Sequence, residues 1–226
     1  MSSFIFALFG SRRLTTGASD QFSIYIFAKL CSIGTKNRHI VFMTVEPMET
    51  LAAFDPPQID IVTNAVSMAE ELVSNHYKMS ASQWLRQRYD VKTLRDLEPA
   101  EIVDGPFAQI IRYRGRRRDY SLESDAFDFY KVCLQDHTIL AALKERPELE
   151  LLPFVLYIAT HELIHIVRFS RFLCGFDASE NERLEEETRV HGITRDILEP
   201  LRLRGLRPVL GYYREWQSPF EKLQNP

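Results

Sequence analysis

The chain has 226 residues, 45% hydrophobic and 26% charged, which is enough to bury the core of one ordinary domain, with or without tails. A formal net charge of -3 and a pI near 6.1 give no global argument for a nucleic-acid partner. Three widely spaced cysteines, Cys31, Cys133 and Cys174, with no Cys-x-x-Cys, exclude a disulfide scaffold and suit a reducing, cytoplasmic compartment.

Residues 1–50 read as a poorly ordered arm or extension, interrupted by Gly10, Gly17 and Gly34. No apolar run reaches the roughly 18 residues that span a bilayer. Arg12 and Arg13 follow the apolar stretch Phe4–Phe9, the wrong order for a secretory signal. A mitochondrial-type presequence and an upstream extension ahead of Met43 are both open, with the extension favoured.

Order is expected from Asp55-Pro56-Pro57-Gln58, where Asp55 is a good N-cap and Gln58 completes a capping box. Ile59, Val62, Val66, Ala69 and Val73 then share one helical face. A second helix is expected from Ser80 or Ser82 to about Tyr89. Residues 108–114 alternate partly and meet Gly115, which reads as a hairpin turning at that glycine and returning through Tyr120 and Leu122. Arg112, Arg114, Arg116, Arg117 and Arg118 read as a solvated edge that discourages sheet-to-sheet pairing, ahead of an anion-binding patch. A short strand is expected over Phe129–Leu134, with a helix opening at Asp136.

The remainder is expected to be helical. A central, buried helix opens at Pro147-Glu148-Leu149-Glu150, with its acids suiting the dipole, and ends near Gly175. Asp177 or Ser179 caps a further helix from about Glu180 to Leu198, which Pro200 ends. Residues 201–226 read as an irregular tail, because Gly205, Pro208, Gly211 and Pro219 punctuate them. Residues 51–226 therefore form one domain.

Within the apolar helix lies His161-Glu162-Leu163-Ile164-His165. Residues four apart project from one helical face, so both imidazoles can reach one ion at about 2.0–2.1 Å. Glu162 is placed to accept a proton from a water at that ion. With six histidines in the chain, the motif arises by chance roughly once in a hundred such chains. Burying two histidines and an acid without partners is costly, and a metal removes that cost. The alternative is a pair of satisfied core histidines. A hydrolytic zinc site needs a third protein ligand and one open position. Glu185, Glu186, Glu187 and His191 on the following helix are the candidates, while Cys174 reads as a small buried hydrophobe.

Over about residues 125–200 the sequence resembles the gluzincin branch of the zincin metallopeptidases. In that branch a His-Glu-x-x-His helix is followed by a helix carrying a glutamate ligand. The resemblance ranks Glu187 first as third ligand, Glu186 second and Glu185 third. His191 stands where the family often has an acid, which leaves it a possible ligand itself. Ile166, Val167, Arg168 and Phe169 follow His165, so the metzincin extension is absent. The resemblance implies an α+β fold: a mostly helical zincin-like domain with a small antiparallel sheet and an active-site helix pair. It also implies an edge strand, at Phe129–Leu134, on which an extended peptide adds. The implied activity is zinc-dependent hydrolysis of a peptide or protein substrate, with Glu162 as general base. An oxyanion donor is expected as well, for which Tyr212, Tyr213 and Arg214 are candidates, with packing the favoured reading of the tyrosine pair.

Two other readings compete. One is a zincin-like metal-binding protein that acts mainly as a partner-binding module. The other is a di-iron carboxylate bundle, since Glu162-Leu163-Ile164-His165 is a Glu-x-x-His; it lacks the second such pair, because Thr188 stands three residues before His191. No nucleic-acid module, membrane span or oligomerisation signal is legible.

Overall fold

The computed structural model describes residues 24–27, 51–86, 89–116, 126–175 and 179–214. Mixed helix and strand make an α+β arrangement. Helix α1, Pro56–His76, starts as its sequence dictates. Asp55 accepts from the Gln58 amide (2.8 Å), and the Gln58 side chain accepts from the Asp55 amide (2.9 Å). Its Val62, Ala65, Val66, Ala69 and Val73 are buried. Ser80 and Gln83 make the same reciprocal pair at the start of α2, Ala81–Arg86. This helix stops short of Tyr89, which instead opens strand β2, Tyr89–Lys92.

The sheet has the order β1-β3-β4-β2. Strand β1 is Ile24–Phe27, β3 is Ala108–Arg116 and β4 is Ala126–Leu134. β3 pairs antiparallel with both β1 and β4, whereas β2 pairs parallel with β4. The sheet is thus mixed, and the expectation of a purely antiparallel one is corrected. Two further expectations change with it. Gly115 lies inside β3, opposite Phe127, so the strand runs past it, and residues 117–125 lie outside the described residues. Arg117, Arg118, Tyr120 and Leu122 fall there too, and only the backbone of Arg114 and Arg116 is described. Phe129–Leu134 belongs to an interior strand with neighbours on both sides, so it offers no free edge to a peptide. The N-terminal arm contributes β1, a pairing across some 85 residues that no local period announces.

After β4, Asp136 begins α3, Asp136–Glu145. Its buried carboxylate accepts from the amides of Phe54 and Leu94, both at 3.0 Å, tying the entry of α1 and the loop after β2 to the end of the sheet. Pro147 and Glu148 form a turn, and α4 runs Leu151–Ser170 from its N-cap at Glu150, with no acid in its first turn. The helix therefore starts later and ends earlier than its flanking residues suggest. Pro153 fits because the first turn needs no amide donors.

Every residue of α4 from Pro153 to Phe169 is buried. A helix apolar on all sides is the core of its domain. It packs along α1 and against α5, Glu180–Leu198, and β3. Among the described residues α4 alone has the length and hydropathy of a membrane span, and 89% of that window is buried inside the protein. Helix α5 begins at Ser179, whose hydroxyl and the Glu182 carboxylate form a capping box. Residues 206–214 are helical, which corrects the expectation of an irregular tail there. Leu206, Val209 and Tyr213 anchor that helix, α6, in the core.

Candidate metal centre

His161 and His165 stand one turn apart on the innermost helix and are 1% and 0% exposed. Their Nε2 atoms lie 3.1 Å from each other. Glu187, on α5, places Oε2 3.3 Å from His161 Nε2 and Oε1 3.1 Å from His165 Nε2. Tetrahedral zinc with bonds of about 2.0–2.1 Å has ligand–ligand edges of about 3.3 Å. The three residues thus form a triangle of side chains whose donor atoms approach one another at about these distances, with Glu187 presenting a different oxygen to each histidine. Two imidazoles and one carboxylate are also a donor set suited to zinc. The Glu187 side chain is 20% exposed, so the triangle meets solvent on the α5 side. Glu162 is buried on α4 beside His161.

The other expected ligands lie elsewhere. Glu186 faces α4 and receives Arg168, which donates from Nε to Oε1 and from Nη2 to Oε2 (2.9 Å). Arg189 reaches the same carboxylate at 3.3 Å. The hydrogen bonds to Glu186 push the Arg168 guanidinium further above its already high value, which keeps it charged. Glu185 is exposed. His191 is buried, with its ring centroid 4.3 Å from that of His161. Its Nδ1 is hydrogen-bonded to the Tyr157 hydroxyl at 2.9 Å, and it stands outside the cluster of three. Cys174 donates to the Gly175 carbonyl, and burial raises its thiol, which disfavours the thiolate a metal would need.

Around the triangle the packing is aromatic. Phe169 stacks on His165, with centroids 5.8 Å apart and planes at 19–20° to the ring system of Tyr130 and His165. Tyr157 lies one turn before His161 and stacks on Tyr213 of α6 at 3.7 Å and 9°. A small cavity beside His191 is lined by Tyr157, Arg195, Leu210, Tyr213 and Arg214. Of the oxyanion candidates, Tyr213 and Arg214 border this cavity, while Tyr212 packs edge-on against Phe154.

Sequence reasoning missed Tyr157 and Arg168. Both had a legible signal: they sit four before His161 and three after His165, on the turns flanking the motif. Tyr213 packs in the core, as the favoured reading of the tyrosine pair had it, although glycines and prolines obscured its helix. Among the described residues His161, His165 and Glu187 are the one group of three able to hold an ion. No family model, curated protein or solved structure matches the chain.

Proposed function

We propose that the protein is a zinc-dependent hydrolase of the zincin type that cleaves peptide bonds in a peptide or protein substrate. The observation that carries this reading is the meeting of His161, His165 and Glu187, whose donor atoms approach to 3.1–3.3 Å through both Glu187 oxygens, with the buried Glu162 next to His161 in the chain. Bound zinc would supply Lewis acidity and lower the pKa of a water. His161 and His165 would hold the ion through Nε2, and Glu187 through its carboxylate. The buried helix fixes the histidine spacing. Glu162 takes the proton of the attacking water on its carboxylate and returns it to the leaving amine nitrogen. The aromatic walls from Tyr157, Phe169 and Tyr213 limit bulk water around the histidines.

A peptide-library cleavage assay on zinc-loaded protein tests the reading. Wild type is expected to cleave, and Glu162→Gln, which keeps size and hydrogen bonding but removes the base, should cut the rate by about 100-fold or more while retaining zinc. Equal cleavage by the two proteins would remove Glu162 from the chemistry. Zinc-loaded wild type that cleaves nothing in the library would contradict the peptidase assignment.

A further inference from the structure

Glu185, Glu186 and Glu187 are consecutive, and neighbouring residues on a helix differ by about 100° in direction. A modest rotation of α5 would offer the histidines a different carboxylate. Something must select Glu187. The apolar contacts of α5 lie mainly in its second half, at Val190, Ile197 and Leu198. From Glu180 to Arg189 the one apolar residue is Leu184, so hydrophobic packing fixes the start of this helix poorly. What does reach across is Arg168. It sits three residues after His165 and grips Glu186 with two parallel N–H donors, the side chains being 9% and 2% exposed. A fork-to-carboxylate contact fixes orientation as well as distance. A buried ion pair contributes little net stability, because desolvation offsets its attraction, and setting register is its best-attested use.

We propose that the Arg168–Glu186 pair is a register lock for the metal centre: by holding Glu186 against α4 it turns Glu187, and not its neighbours, toward His161 and His165. Arg168 and Glu186 are positioning residues here, and the inference rests on the zinc reading above. The lock predicts a division of labour among three carboxylates that look alike in sequence. Glu187 meets the metal, Glu186 meets the arginine, and Glu185 faces solvent.

The test is zinc affinity of the full chain, measured by competition with a chromophoric chelator, together with the visible spectrum of Co2+ bound in place of zinc. In Arg168→Met/Glu186→Leu, apolar side chains replace the pair, so the fold should persist with thermal stability close to wild type. Zinc affinity is expected to fall about 10–100-fold, the range typical when groups that orient ligands are removed, and the Co2+ bands should shift. Arg168→Lys keeps the charge but loses the fork, and should weaken zinc about tenfold; it carries the test if the double variant does not fold. Wild-type affinity and an unchanged Co2+ spectrum in a folded variant would overturn the lock while leaving the metal centre standing. A wild-type chain that binds neither ion would overturn both.

Discussion

Glu101 shows how much one buried carboxylate can organise away from the metal. Burial alone would raise its pKa, but hydrogen bonds from Lys131 Nζ and the Tyr113 hydroxyl, both 2.6 Å, and from the Glu98 amide outweigh that and hold the carboxyl below its usual value. A folded-state value below the unfolded one means that the stabilisation is present above the unfolded glutamate pKa of about 4.3 and is lost as pH falls through the folded value. Glu101→Gln should therefore cost about 2 kcal/mol at pH 7 in urea unfolding, with the difference from wild type shrinking below about pH 4. A constant difference from pH 7 to pH 3 would show that the carboxylate's charge is irrelevant. At this scale the two histidines and Glu162 were fully legible, because their spacing is a local property of one helix. Glu187 was legible only as the first among neighbours. Spacing along one helix says nothing about how a second helix is rotated, and that rotation depends on the contact between Arg168 and Glu186.

Among the elements, those with chemical punctuation at their ends were read best. Asp55 and Ser179 each satisfy an orphan amide of the first turn, and the helices they open begin where their caps predict. Ser179→Ala should destabilise α5 by about 1 kcal/mol. Since that helix carries Glu187, zinc affinity should drop in parallel, and chelator competition on the purified variant checks this. Unchanged affinity would mean that the first turn of α5 does not help to place its ligand. The C-terminal helix was the clearest failure at this scale. Gly205 suggested irregularity, but it is a single left-handed residue (φ +76°) that turns the chain into residues 206–214. A Cβ there would lie 3.0 Å from Glu150 Cδ and 3.1 Å from Pro153 Cγ. Gly205→Ala should accordingly cost about 1–2 kcal/mol in unfolding free energy and loosen the stacking of Tyr213 on Tyr157. A neutral outcome would show that the loop can re-form around the methyl group.

For the whole molecule, the pattern of apolar residues foretold a helical core around α4 and the packing of α5 against it. It foretold strands over 108–114 and 129–134, but not the order of the sheet they join. Strand order depends on pairings between distant segments, and neither β1 with β3 nor the parallel contact of β2 with β4 leaves a periodic trace in the chain. The interior placement of β4 also removes the simplest route for peptide docking, along that strand. The assembled fold does bring one carboxylate of α5 to two buried imidazoles of α4, and the proposed function depends on that meeting. Metal content is the most direct test. Elemental analysis of purified wild type, His161→Ala and Glu187→Ala after zinc reconstitution and desalting should give about one zinc per wild-type chain and little in either variant. No zinc in folded wild type, or full zinc in both variants, would contradict the account.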